Sequence, residues 1–252
     1  MTSADVSFSH LVDRFQKNIY DSRKGQIRMA LVRRGVLPLC QQDTTLRVLD
    51  AAGGLGQMTA LFAEHGHQVT YNDLAAEMLA AAQQNVAASP NAAAVAWTQG
   101  PLQDLQGSYD VVLGHAVLEW LGDPQEGLAR LCDRVKPGGA LSLLFYNAES
   151  IIFKNLLKGN LRKATSNHYA GDKKGLTPVS PLNIADVEAW LADFGMVITE
   201  RLGVRCFTDY MWPLFKDNPR LEDQIELEWA LGQRTEYRPF ARYLHYIVHK
   251  PE

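Results

Sequence analysis

LRVLDAAGGLGQ, residues 46–57, decides the fold: an apolar run closes on an acid, Asp50, and a glycine-bearing turn follows at once. Residues 47–49 read as a buried parallel strand, because an apolar run without polar alternation has both of its faces covered. Gly53, Gly54 and Gly56 then let backbone approach a ligand where a Cβ would clash. A turn of this kind after a first strand serves nucleotide-like ligands, and it does not by itself say which one.

The next strand narrows the choice. Residues 58–65 carry Met58, Leu61 and Phe62 at helical spacing, and residues 67–73, HQVTYND, read as a second strand ending on a second acid, Asp73. Asp73 follows the glycines by about twenty residues, where open α/β folds set a carboxylate beside a ribose to accept its two hydroxyls. A dinucleotide fits this much. The turn is not GxGxxG, however, and Asp50 stands just before the glycines, where it would repel a pyrophosphate. S-adenosylmethionine has no phosphate and carries a sulfonium and an ammonium, so a local negative field suits it. The plainest reading, a glycine turn without a ligand, has to be weighed beside both.

With these residues in place, the chain resembles the class I S-adenosylmethionine-dependent methyltransferases over residues 46–148. The resemblance implies an α/β, Rossmann-like fold: a mostly parallel seven-stranded sheet with an antiparallel last strand and helices on both faces. GPLQDL, residues 100–105, falls where these enzymes place a turn beside adenine, which makes Leu102, Gln103 and Asp104 candidates. YDVVLGHAVLEWL, residues 109–121, resembles the fourth strand followed by a helix, and VKPGGALSLLFYN, residues 135–147, a helix end, a turn and the fifth strand. The family has glycine where this chain has Ala52, so Ala52 is expected to avoid the positive φ values that glycine permits.

Composition agrees. A chain of 252 residues, 46% hydrophobic, is long enough for one α/β domain. Its formal net charge of −3 excludes overall basicity as a route to nucleic acid, so such binding needs a local patch. Cys40, Cys132 and Cys206 are scattered and odd in number, which points to a reducing compartment without a disulfide framework or a metal site. Cys132 and Trp120 lie in apolar patterns and read as core. The N-terminus lacks the apolar stretch of a signal peptide and no segment is long enough to span a bilayer, so the expected location is cytoplasmic.

Residues 1–252 therefore read as a single methyltransferase domain with two additions on the substrate side: an N-terminal helical lid at about residues 6–36 and an insertion at about residues 148–182. A third strand is expected at 95–99, helices at 73–88, 151–161, 184–194 and 221–231, and the last two strands at 197–207 and 242–250. The insertion carries Lys154, Lys158, Arg162, Lys163, Lys173 and Lys174, and the N-terminal segment adds Arg14, Lys17, Arg23, Lys24, Arg28, Arg33 and Arg34. A charge run is commonly a solvated surface. Two such segments beside one active-site mouth in a net acidic chain suggest an anionic substrate, held by charge without sequence information.

FQKNIYDSRKGQIR at residues 15–28, GHAVLEW at 114–120, LSLLFYNA at 141–148, GVRCFTDY at 203–210 and ARYLHYIVHKP at 241–251 extend the likeness beyond the generic fold. Together they resemble the bacterial tRNA 5-carboxymethoxyuridine methyltransferases. That resemblance implies transfer of the methyl group of S-adenosylmethionine to the carboxylate of 5-carboxymethoxyuridine at the wobble position of tRNA, with the anticodon region as partner. It puts Arg28 on the donor's carboxylate, Leu102 and Gln103 at its adenine and His115 against it, beside Asp50, Ala52, Gly53, Gly54 and Asp73. His115 also reads as a hydrogen-bonded core histidine. Tyr20, Tyr146 and Arg205 are candidates for orienting the acceptor, and Lys24, Lys154, Lys158, Arg162, Lys163, Lys173 and Lys174 for binding tRNA. No acid, base or metal is required, because a carboxylate is already ionised at neutral pH. A methyltransferase of a small anionic metabolite would use the same donor site, and a non-catalytic binding module is the third reading. A homo-oligomer through the apolar and acidic C-terminal region is left open.

Overall fold

A computed structural model describes residues 22–165, 178, 180–212, 215 and 219–252, except the side chain of Lys163. Tyr20, Lys173 and Lys174, and the lid as far as residue 21, lie outside the described residues. Seven strands form one sheet in the order β3-β2-β1-β4-β5-β7-β6. They are β1 (Arg47–Ala51), β2 (Gln68–Asp73), β3 (Val95–Gln99), β4 (Tyr109–His115), β5 (Val135–Tyr146), β6 (Val197–Val204) and β7 (Tyr243–His249). The first five pair in parallel, whereas β7 runs antiparallel between β5 and β6. Reversal of β7 has a consequence for the site: its first residue, Tyr243, lies in register with Tyr146 at the end of β5 and with Val204 at the end of β6.

Helices cover both faces. On one side α1 (Arg23–Cys40), α2 (Gln57–Glu64) and α3 (Ala76–Val86) lie over β1 and β2; α1 and α2 bury Ile27, Leu31, Val36 and Phe62 against Val48, Tyr71 and Leu113. On the other side α4 (Pro124–Arg134) and α7 (Ile184–Asp193) bury Leu128, Leu131, Val187 and Leu191 against Val112, Leu143 and Phe145. Between β5 and α7 stand α5 (Ala148–Leu157) and α6 (Leu161–Thr165), and α8 (Leu221–Gly232) precedes β7. The helix expected directly after β4 is instead a single 3₁₀ turn, Leu118–Trp120. The helix starts later because Asp123 caps it, accepting from Glu126 N at 3.0 Å, and Pro124 fixes its first φ. The inserted segment leaves and rejoins the sheet at one point: Asn147 bridges Leu182, whose amide donates to the Tyr146 carbonyl at 2.9 Å. Among the described residues no helix is long and apolar enough to cross a membrane.

Candidate active site

Ligands of open α/β sheets bind beyond the carboxyl ends of the strands, and there the ends of β1, β2 and β4 border a cavity. Its lining includes Arg28, Asp50, Ala52, Gly53, Gly54, Asp73, Leu102 and His115, eight of the ten residues expected on the donor. Gln103 and Asp104 are exposed and outside the lining, because the 3₁₀ turn Leu102–Asp104 buries Leu102 and turns the next two residues to solvent. Trp120, expected in the core, is only partly buried and lines the cavity. Met29, Gln57, Asn72, Met78 and Ala116 also line it without having announced themselves in the sequence.

The turn after β1 is shaped for close approach. A Cβ on Gly53 would lie 2.7 Å from the Tyr71 ring and 2.8 Å from Asp50 Oδ2, so only glycine leaves this path open. The Gly53 amide donates to the Asn72 carbonyl at 3.0 Å, and the Tyr71 hydroxyl donates to the Gly54 carbonyl at 2.7 Å. Ala52 contradicts its expectation: its φ is 55°, in the left-handed region. The turn geometry overrides the residue's preference, and the chain bears the Cβ strain that glycine would avoid. Ala116 at the end of β4 (φ 57°) and Arg205 after β6 (φ 64°) are also left-handed, so three of the four described non-glycine residues with positive φ stand at this edge.

Asp50 is buried, and its Oδ2 accepts from the Thr59 hydroxyl at 2.6 Å and the Thr59 amide at 3.1 Å. Burial pushes its pKa up to about 6, against the pull of the Thr59 bonds and with help from Asp73. Asp73 is held at both oxygens, accepting from Gly54 N at 3.1 Å and Ala75 N at 2.9 Å, and burial raises its pKa as well. Thr59 engages both lone pairs of Asp50 Oδ2, which leaves Oδ1 as that carboxylate's acceptor for a further donor. Two carboxylates, one arginine, apolar walls and a glycine path form a donor set that fits S-adenosylmethionine, which carries a sulfonium, an ammonium, two ribose hydroxyls and a carboxylate.

A second cluster occupies the ends of β5 and β6 and the start of β7, and it has the opposite charge. Asp209 is buried at its centre, 2.7 Å from Arg205 Nη2 and 3.5 Å from Arg242 Nε, and Lys24 Nζ closes the group on the other oxygen. Burial alone would raise the Asp209 pKa, but Arg205, Arg242 and Lys24 hold it far below the carboxylate range. The Arg205 contact is an ion pair without an aligned hydrogen bond, since Asp209 Oδ2 has no well-directed donor. Arg242 Nη1 donates to the Tyr146 hydroxyl at 2.8 Å. The Tyr243 ring meets two guanidinium groups, Arg28 at 5.6 Å and Arg205 at 5.5 Å, and so joins the cluster to the donor cavity. Lys154 on α5 adds charge, its pKa lowered to about 8 by burial and by Arg242, with Asp209 opposing.

The cluster therefore sets Lys24, Lys154, Arg205 and Arg242 against one carboxylate. Two of its buried donor atoms, Arg205 Nε and Arg242 Nη2, have no hydrogen-bond partner among the described residues. An unmet buried cationic donor is costly, and an anion is its natural partner. Two acceptor-side candidates, Arg205 and Tyr146, thus come together. Asp209, Arg242 and Tyr243 were missed although they lie inside quoted motifs, because nothing in sequence separation links them to Lys24. Lys24 is drawn into the cluster rather than onto open surface, whereas Lys158 and Arg162 are exposed on the insertion.

A protein-family profile described as "Methyltransferase domain" matches residues 49–141. The chain is 35% identical to the tRNA 5-carboxymethoxyuridine methyltransferase of Escherichia coli (strain K12), covering 98% of this chain and 97% of that protein. It is 34% identical to the trans-aconitate 2-methyltransferase of Deinococcus radiodurans, a match limited to 44% of this chain and 42% of that one. In fold it is similar to magnesium protoporphyrin IX methyltransferase from Synechocystis PCC 6803, solved with S-adenosylmethionine bound, at a TM-score of 0.63, 17% identity and coverage of 96% and 93%.

Proposed function

The chain belongs to the tRNA 5-carboxymethoxyuridine methyltransferase family, and from that premise we propose how its two clusters divide the work. The protein is an S-adenosylmethionine-dependent tRNA methyltransferase that esterifies the carboxylate of 5-carboxymethoxyuridine. Likeness over nearly the whole chain carries this reading over a small anionic metabolite, because the trans-aconitate enzyme matches less than half of it.

When bound, S-adenosylmethionine supplies a methyl group made electrophilic by the sulfonium. The residues around it bind and orient. Asp73 accepts the ribose hydroxyls, Gly53 gives the amino-acid portion its path, Arg28 pairs the donor carboxylate and Asp50 supplies the negative field. Beyond Tyr243, the unmet donors of Arg205 and Arg242 donate to the acceptor carboxylate, and the Tyr146 hydroxyl fixes its side. Asp209 tempers the cations, so that the carboxylate is oriented without being locked in a tight ion pair that would blunt its nucleophilicity. No proton has to be removed, and holding oxygen, carbon and sulfur in line provides the acceleration.

Lys158 and Arg162, exposed on the insertion over residues 148–182, extend this reading to the anticodon arm as phosphate contacts; of the expected lid at 6–36, residues 23–36 belong instead to α1, whose apolar face is buried against the sheet. A tRNA acceptor supports a cytoplasmic location. Charge reversal at Lys158 and Arg162 separates the two acceptor classes. Activity on tRNA should fall and its dependence on salt should flatten by roughly one unit of log–log slope per contact. An unchanged rate and salt slope would favour a small acceptor.

A further inference from the structure

Beneath the donor cavity a buried polar chain crosses three strands. His115 at the end of β4 has its Nε2 at 2.8 Å from Ser142 Oγ on β5, and the same oxygen lies 2.8 Å from His245 Nε2 on β7. The two imidazoles meet edge to face, 5.6 Å apart. Ser142 is fully buried and His245 nearly so, and in a sheet interior of leucine and valine such a triplet is out of place unless it has a use.

A hydroxyl has one proton, so Ser142 donates to one histidine and accepts from the other. Both rings are neutral: burial lowers the His245 pKa to about 4, and burial, His245 and Arg28 hold His115 well below its ordinary value. Only two proton arrangements then remain, and they differ in which nitrogen of His115 is protonated. The surroundings of His245 choose between them. Its Nδ1 faces Gly35 on α1, where a Cβ would lie 2.7 Å away. A proton on that nitrogen would point at the Gly35 Cα, which cannot accept it, whereas a bare lone pair against a Cα is tolerated far better. The proton of His245 therefore belongs on Nε2, which donates to Ser142.

We infer that Ser142 and His245 are positioning residues that fix His115 as the Nδ1–H tautomer, so that the donor cavity meets a neutral hydrogen-bond donor rather than an acceptor. Ser142 gives its proton to His115 Nε2, and His115 Nδ1, the nitrogen left to the cavity it lines, carries the N–H. The inference rests on the donor site described above. It also explains why Gly35, in the middle of a helix, has no side chain: a Cβ there would collide with the imidazole at the far end of the chain.

Nitrogen-15 spectroscopy of histidine-labelled protein reads the tautomers directly, with His115→Gln and His245→Gln used for assignment. The expected result is Nδ1–H at His115 and Nε2–H at His245 between pH 6.5 and 8. The reverse pair, or a charged His115, overturns the inference in the wild-type protein, whatever the variants do. Ser142→Ala should mix the His115 tautomers and weaken S-adenosylmethionine binding by about threefold to tenfold, with Ser142→Thr restoring both. An unchanged tautomer and Kd in Ser142→Ala would also overturn it. Failure of the wild type to bind S-adenosylmethionine by calorimetry would instead remove the donor site itself, and this inference with it.

Discussion

At the ends of β1 and β2 two carboxylates, the buried Asp50 and the half-buried Asp73, border the cavity; beyond β5, β6 and the start of β7, four cations surround one buried carboxylate, Asp209. On the function proposed above, a sulfonium and an ammonium belong in the first region and a carboxylate in the second, so that the polarity of the site mirrors that of the reaction. The regions differ in construction too. The donor side is backbone shaped by a few consecutive residues, whereas the acceptor side is side chains gathered from α1, the loop after β6 and the start of β7. Tyr243, in contact with both Arg28 and Arg205, is where they meet.

Substitutions that strike one region and spare the other test the division. Arg205→Met should lower kcat/KM for tRNA by about a hundredfold to a thousandfold, as expected when one partner of a buried charge cluster is lost. The Kd for S-adenosylmethionine should stay within about twofold; a donor Kd that moves as far as kcat/KM would erase the division. Asp73→Ala should do the converse, raising the donor Kd by about thirtyfold to a hundredfold by calorimetry through two lost hydrogen bonds to a charged group, with tRNA binding retained.

A smaller effect comes from pH. Because burial raises the Asp50 pKa to about 6, its charge is complete above that value and lost as pH falls through it. Donor affinity should therefore drop by about tenfold between pH 7.5 and 5, and Asp50→Asn should flatten that step. Smallest of all, Ala52→Gly should stabilise the protein by about 1 kcal/mol in urea unfolding by relieving a left-handed alanine, with little change in donor Kd. Destabilisation there would mean that the alanine methyl packs usefully despite its φ of 55°.

The difference in construction also explains what could be read in the sequence. Asp50, the glycines and Asp73 follow a strand–turn–helix–strand order whose spacing is dictated by the fold, so this half was legible from residue order. β3, Val95–Gln99, was likewise placed to the residue. Ala52 was misjudged because a turn held by the Gly53–Asn72 and Tyr71–Gly54 bonds imposes its φ on whatever residue stands there. Gln103 falls outside the cavity lining because a 3₁₀ turn sends it away from the side that Leu102 takes. On the acceptor side, Lys24 and Asp209 meet across 185 residues, and Arg242 arrives only because β7 is antiparallel. Their motifs were visible and their partnership was not, since ion pairing between distant segments leaves no periodic trace.

The central claim is that one site brings a methyl donor in its acidic half to a tRNA carboxylate in its basic half. Nucleoside mass spectrometry of tRNA incubated with the protein and methyl-labelled S-adenosylmethionine tests it most directly. The label should appear as the methyl ester of 5-carboxymethoxyuridine and be released by mild alkali. Label on another nucleoside, or no ester from protein shown to have bound the donor, would contradict the account.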